Sequence, residues 1–344
     1  MDQKFSLGLS YDDVLLVPQY SEIKSRSEVD LSTQITPDLK LDIPLISSNM
    51  STITDANFAI ALGKLGGLGI IPRFSTSEEE AKIVEKVKKE RVKVGAAVGV
   101  REESTKRAKL LVSAGVDLLV LDVAHGHMFQ AIEMTKKLRS LFGNKVGIVS
   151  GNAATYEAAN DLFKAGADCV KVGVGPGSTC ITRIQTGCGV PQITAMLDCA
   201  KAARKYKKTL ICDGGMKNSG DIVKGLAAGG SAVMTGHMFA GLKETAGRIV
   251  TKDGIEYKEY NGSTSIAEKA KRSKTGVKHI EGVATLVPYI GELAPNLENI
   301  LENIRSGFSY EGAKNIEELW EKAKFIRVST LGARENGAHD VNVR

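Results

Sequence analysis

VGAAVGVREESTKRAKLLVSAGVDLLVLD, residues 94–122, holds one full repeat of the pattern from which the fold is read. Val94–Val100 is a short apolar run that suits a buried strand. STKRAKLLVSAG (104–115) places its apolar residues at helical spacing and closes on Gly115. Leu118–Asp122 is a second apolar run, ending on a carboxylate. A strand, a helical crossover and a second strand is the unit that builds a parallel sheet, because a tight hairpin yields only antiparallel neighbours.

Working outward, the unit recurs. Further strands are predicted at Leu41–Ser47, Gly67–Ile71, Val146–Ser150, Asp168–Val174, Thr209–Asp213 and Ala232–Gly236, which brings the total to eight. Helical patterns such as SEEEAKIVEKVKKE (77–90) and YEAANDLFKAG (156–166) fill the gaps. Gly66, Gly115, Gly166 and Gly229 each follow such a run, where a helix needs a C-terminal cap. Eight repeats in about 200 residues predict an α/β fold, a closed (β/α)8 (TIM) barrel rather than an open doubly wound sheet. Two connections break the period. GVGPGSTCITRIQTGCGVPQ (173–192) follows the sixth strand, and a polar stretch over about 242–291 follows the eighth. Both leave the C-terminal ends of strands, where barrel enzymes place their chemistry, and read as an active-site loop and a flap. The alternative for the second is a plain surface ribbon. The expectation is one catalytic barrel domain over 1–344.

Composition narrows the class. The 344 residues are 42% hydrophobic and 25% charged, with a net charge of +6 and a mean hydropathy of -0.09. That balance suits a globular chain, neither disordered nor membrane-embedded. Aromatics make up 5% and interleave with no Lys/Arg block, so no nucleic-acid partner is expected. The N-terminal MDQKFSLGLSYDD lacks a signal-peptide core and no 18-residue apolar run occurs, which predicts a cytoplasmic protein without a membrane partner. The five cysteines are odd in number and lack Cys-x-x-Cys spacing, so free thiols are expected rather than a metal cluster.

Four constellations carry chemistry. In GVGPGSTCITR, Gly173, Gly175 and Gly177 let backbone approach a ligand, and Cys180 sits among Ser178, Thr179, Thr182 and Arg183, a setting that favours a thiolate nucleophile. Cys169, Cys199 and Cys212 lie in apolar runs and read as space-filling. CDGG (212–215) and MTGH (234–237) end two late strands, where Asp213 suits a ribose diol and Gly236 and His237 offer amides to a phosphate. In LDVAHGH (121–127), Asp122 points a carboxylate into the mouth, while His125 and His127 are poorly spaced for a metal. Glu281, late in the flap beside Lys278 and His279, suits proton transfer on closure, or is an ordinary surface acid.

GVGPGSTCITRIQTGCGVPQ strongly resembles the cysteine loop of the IMP dehydrogenase / GMP reductase family. LSYDDVLLVP (9–18), GAAVGV (95–100), CDGG with GDIVKGLAAG (220–229), and FIRVST (325–330) resemble other segments of it, from about residue 5 to 340. The resemblance implies a homotetramer in which Cys180 attacks C2 of a purine nucleotide, GMP or IMP, with Thr182 and Glu281 as proton relay. It implies nucleotide contacts from Asn49, Ser178, Asp213, Gly214, Gly215, Gly236 and His237, and from Ser263, Thr264, Ser265, Lys278 and Gly282 of the flap. Toward a nicotinamide cofactor it implies Arg73, Asp122, Val123, Ala124, Val174 and Gly175, with Ser25 and Arg26 reaching in from a neighbouring subunit. K+ would rest on the carbonyls of Gly175, Gly177 and Cys180, with Glu335, Asn336 and Gly337 of a neighbouring subunit as further ligands.

Two branches stay open. FSTSEEEAKIVEKVKKERVKVGAAVGV (74–100) runs straight through the point where most dehydrogenases of the family insert CBS modules. The Arg-Tyr pair of dehydrogenase flaps is missing, Arg272 being followed by Ser273, and KSRSEVDL (24–31) and SNM (48–50) follow the reductase form. These features imply NADPH-dependent reductive deamination of GMP to IMP and ammonia. VPQITAMLDCA (190–200) and ENGAHDV (335–341) instead follow bacterial dehydrogenases, which would oxidise IMP to XMP with NAD, Lys278 or Arg272 replacing the missing Arg. Lys278, Ile280 and Ser51 also depart from the reductase pattern, which has Arg, Ser and Asp there. A silent nucleotide-binding homologue is the third reading.

Overall fold

The structure, a computed structural model, describes residues 5–272 and 276–337. Ser273 and the tail residues Ala338–Val341 named above lie outside them. Eight parallel strands close into a barrel: β1 (Leu45–Ser47), β2 (Leu68–Ile71), β3 (Val94–Val98), β4 (Leu118–Asp122), β5 (Gly147–Ala153), β6 (Cys169–Val172), β7 (Thr209–Asp213) and β8 (Ala232–Thr235). Strand β8 pairs with β1 through Val233 and Leu45, which completes the ring. All eight predicted strands are present, with ends shifted by a few residues. The first is shorter than its apolar run, because Leu39–Leu41 pairs instead with Thr33–Thr36 in a hairpin below the barrel.

Alternation within the strands sorts two cores. Inward residues such as Ile46, Ile70, Val120, Val149, Cys169, Ile211 and Met234 stack with Ile35, Leu39 and Leu41 of that hairpin. The hairpin therefore plugs the N-terminal end, where the Thr209 hydroxyl donates to the Ile35 carbonyl at 2.5 Å. Outward residues such as Val170, Val172, Leu210 and Val233 pack under the helices. Sequence fixes the helices locally as well. Ser77–Lys89 begins with a Thr76/Glu79 capping box, carries Glu78, Glu79 and Glu80 in its first turn and Lys86, Lys88 and Lys89 in its last. Both charge sets oppose the helix dipole, and the cap alone contributes about 1 kcal/mol. This helix is the whole connection from β2 to β3.

The chain after β8 forms a three-stranded antiparallel sheet, Ile249–Lys252, Ile255–Asn261 and Ala284–Pro288, with the short helix Ile266–Ala270 between its last two strands. It then enters the long helix Leu293–Tyr310. No helix among the described residues is long and apolar enough to cross a membrane.

Candidate active site

The loop after β6 and the far end of the flap are sewn together by backbone. Cys180 and Gly282 form an antiparallel bridge. The amide of Ile181 donates to the Glu281 carbonyl and that of Val283 to the Thr179 carbonyl, both at 2.9 Å. The flap is therefore more than a surface ribbon: the segment leading into its return strand brings Glu281 to the loop. Gly262 and Gly282 permit the approach, since a Cβ on Gly282 would meet the Thr264 hydroxyl at 3.1 Å.

This seam builds a chain of proton-bearing groups. The Cys180 thiol donates to Thr182 Oγ1 at 3.1 Å, and the Thr182 hydroxyl donates to Glu281 Oε2 at 2.7 Å. Cys180 is half-buried and Thr182 nearly fully so. Arg183 plays a different part from that expected: its guanidinium donates to the Val190 carbonyl at 2.8 Å and its stem packs against Gly175 and Gly189. The other strand and helix thiols are buried, and burial pushes Cys169 up to about 12 and Cys212 up to about 11. All five cysteines are free, and no metal-ligand cluster occurs among the described residues.

Two cavities open at the C-terminal mouth, one on each side of Cys180. The first, about 190 Å3, is lined by Ser178, Cys180, Asp213, Gly214, Gly215, Gly236, His237, Ser263, Thr264, Glu281 and Gly282. The second, about 510 Å3, is lined by Asn49, Arg73, Asp122, Val123, Ala124, Gly175, Gly177 and Thr182, and shares Cys180 and Asp213 with the first. It continues past Arg73, Arg101 and Arg272 into a cavity of about 840 Å3 that Arg107, Lys269 and Lys278 also line. Cations dominate that surface, with Glu103 as its acid.

Several expected residues lie elsewhere. Ser265 is fully buried and caps the helix Ile266–Ala270, accepting from the Glu268 amide, so it is structural. Val174 faces a separate small cavity with His125 and His127. Ser25 and Arg26 sit in a turn that packs on the helix Leu293–Tyr310, and Glu335, Asn336 and Gly337 lie at the end of the described chain; none of the five lines the mouth of their own chain.

Sequence reading missed Lys171 and Asn152. Lys171 projects inward from β6 and is 2% exposed. Its ammonium bonds Asp213 Oδ2 at 2.6 Å, Asp122 Oδ1 at 3.1 Å and the Asn152 side-chain oxygen. Burial by itself would lower this lysine, but the Asp213 and Asp122 carboxylates raise it instead. Burial likewise works to raise Asp122, while Lys171 and Arg73 pull it below the usual range. The available signal was a lone charge at an inward position of the apolar run CVKV. Arg101 and Arg107 were also missed, hidden in an ordinary amphipathic stretch.

The sequence model of the IMP dehydrogenase / GMP reductase domain matches residues 8–339. Inosine-5'-monophosphate dehydrogenase of Aquifex aeolicus is 35% identical over 100% of this chain and 97% of that protein. GMP reductase of Leishmania donovani is 34% identical over 97% of each. Those alignments run over 479 and 478 positions against 344 residues here, so a long stretch of each relative has no counterpart in this chain. Lack of an insertion therefore does not separate the two named activities. A crystal structure of a cysteine-to-alanine variant of GMP reductase from Trypanosoma brucei, in complex with guanosine 5'-monophosphate, superposes with a TM-score of 0.93. It is 31% identical and covers 98% of this chain and 99% of that one.

Proposed function

The chain belongs to the IMP dehydrogenase / GMP reductase family, oxidoreductases of purine nucleotides, and from that premise we propose that it is a GMP reductase, converting GMP to IMP and ammonia with NADPH. The single barrel over 1–344 is its catalytic domain, with the loop 173–192 and the flap at about 242–291 closing the site. The observation that carries the choice is the state of the flap cations. Arg272 donates from Nε to the Glu268 carbonyl at 2.9 Å and from its terminal nitrogen to the Ser263 carbonyl, and stacks on Phe74 at 3.9 Å. A guanidinium so engaged holds the flap shut. The Thr182–Glu281 pair is then the proton path beside Cys180, which suits departure of an amine.

The Cys180 sulfur adds to C2 of GMP and the C2–N bond breaks, Glu281 through Thr182 delivering the proton that makes ammonia. The dinucleotide, when bound, supplies a hydride to C2. Release of the Cys180 sulfur from C2 then leaves IMP. Asp213 accepts from the ribose hydroxyls, and the amides of Gly215 and Gly236, with Ser178 and His237, surround the phosphate. Asp122, Val123, Ala124, Gly175 and Arg73 flank the nicotinamide ribose, and the cationic cavity beyond Arg73 fits the phosphates of NADPH in charge and size. The loop also fits a K+ ion held by carbonyls, since Gly175 turns through the left-handed region at φ 81° and Gly177 commits one lone pair to the Cys180 amide at 3.0 Å. Ser25, Arg26 and Glu335–Gly337 serve a neighbouring subunit of a homotetramer.

A second reading, IMP oxidation with NAD, draws support from Arg272 itself. Burial and the nearby Arg73 lower it against the pull of Glu268, the direction a water-activating base requires. The deciding assay follows 340 nm absorbance with GMP plus NADPH and, separately, IMP plus NAD. Loss of absorbance in the first supports the reductase; a gain in the second with silence in the first overturns it.

A further inference from the structure

Lys171 offers three N–H donors and meets three acceptors: Asp213 Oδ2, Asp122 Oδ1 and the Asn152 side-chain oxygen. The Asn152 amide in turn donates to Asp213 Oδ2 at 2.8 Å and to the Gly173 carbonyl at 2.7 Å. One oxygen of Asp213 is therefore fully engaged from beneath, and the carboxylate can turn only its other oxygen to a ligand. Asp122 is gripped in the same way, by Lys171 and by a hydrogen bond from the Asn49 side chain. The two carboxylates line the mouth on the nucleotide and dinucleotide sides respectively, each partly exposed, while the ammonium between them is not.

We propose that Lys171 is the positioning residue that ties the two halves of the site together, one buried ammonium holding both ribose-binding carboxylates charged and aimed. This rests on the functional reading above, which gives Asp213 to the nucleotide and Asp122 to the dinucleotide. Without the ammonium, two carboxylates face each other in a poorly solvated pocket and one of them keeps a proton. A protonated carboxyl is a poorer acceptor for a diol, so both ligands weaken though Lys171, 2% exposed, offers them almost no surface of its own. The other charged or titratable groups facing the trio are Arg73 beside Asp122, and Cys212, Tyr11 and Tyr260 around Asp213.

The test is steady-state kinetics of Lys171→Gln with the substrate pair that the wild type turns over. We expect the KM of nucleotide and of dinucleotide each to rise by about tenfold or more, and the acid limb of kcat/KM to move up by about one pH unit. The double variant Lys171→Gln/Asp122→Asn removes one of the two facing carboxylates together with the ammonium, leaving Asp213 a single carboxylate still held by the Asn152 amide, and keeps the test open should the single variant not fold. In it the acid limb and the nucleotide KM should return to within about threefold of wild type while the dinucleotide KM stays raised. A purely structural lysine would lower the melting temperature and active fraction without moving either KM or the limb. Unchanged KM values and limb in Lys171→Gln, a change confined to one ligand, or wild-type KM values in the double variant overturn the inference alone. A wild type that turns over neither pair overturns the functional reading, and this inference with it.

Discussion

The Thr182 hydroxyl donates to the Glu281 carboxylate across 2.7 Å, joining residues 99 positions apart in the chain and reaching Cys180 through a further 3.1 Å contact. One partner stands on the loop after β6, the other in the flap just before its return strand Ala284–Pro288, so the relay exists only when the two are paired. Thr182→Ala and Glu281→Gln should each lower kcat by about 10²–10⁴-fold, the range of a lost general acid. Because both serve one path, the double variant should be little worse than either single one. Additive losses in stopped-flow turnover would show two independent roles.

Removal of the nucleophile has a different signature. Cys180→Ala deletes the atom that bonds C2 but none of the groups around the phosphate or ribose. Turnover should fall by at least about three orders of magnitude. Calorimetry should still find nucleotide binding within about threefold of wild type, because the lost thiol is hydrogen-bonded to Thr182 and not to a group that surrounds the phosphate or ribose. Turnover retained in Cys180→Ala contradicts covalent catalysis.

What the sequence disclosed and what it hid divides along physical lines. The barrel was legible because every strand is an apolar run closed by a cap or a carboxylate, and a strand–helix alternation admits few topologies. Cys180 and Asp213 were legible because glycines and polar residues at strand ends have no packing purpose there. Lys171 was not, since its meaning depends on which of two faces of β6 it occupies and on carboxylates 42 and 49 residues away, Asp213 and Asp122. The cationic cavity was hidden for the same reason: Arg73, the pair Arg101 and Arg107, and Arg272 come from three separate connections. Ser265 was misread because a serine before an apolar turn serves equally as a helix cap.

Arg272 should act as the latch of the flap. Its guanidinium stands 3.9 Å from the Phe74 ring centroid and donates to the Glu268 and Ser263 carbonyls. Arg272 is exposed, and a cation–π contact of this kind contributes about 0.5–1 kcal/mol. In Arg272→Ala, hydrogen exchange at the amides of Ile181 and Val283, which sew the flap to the loop, and of Gly262, which donates within the flap to Val283, should accelerate by at least about tenfold. The dinucleotide KM should rise with it, and kcat for the reductase should change less. Unaltered exchange at those amides removes the latch, and a collapse of IMP oxidation in this variant would mark Arg272 as the water-activating base of the second reading.

Glu80 makes stability depend on pH in a direction opposite to most carboxylates. It is fully buried on the helix Ser77–Lys89, touches Arg107, and leaves Oε1 without a partner. Burial lifts its carboxyl to about 8, outweighing the lowering by Arg107 and Arg73. The unfolded chain releases this proton near pH ~4.3. From there to about 8 the folded state holds a proton that the unfolded state has lost, so the contribution of Glu80 to stability falls as pH rises and levels off above about 8. Glu80→Gln, neutral throughout, should match wild type near pH ~5 and become progressively more stable than it toward pH ~8, in urea melts run as a pH series. Subtracting one protein from the other cancels every other titrating group, and a difference that stays flat across that window sinks the assignment.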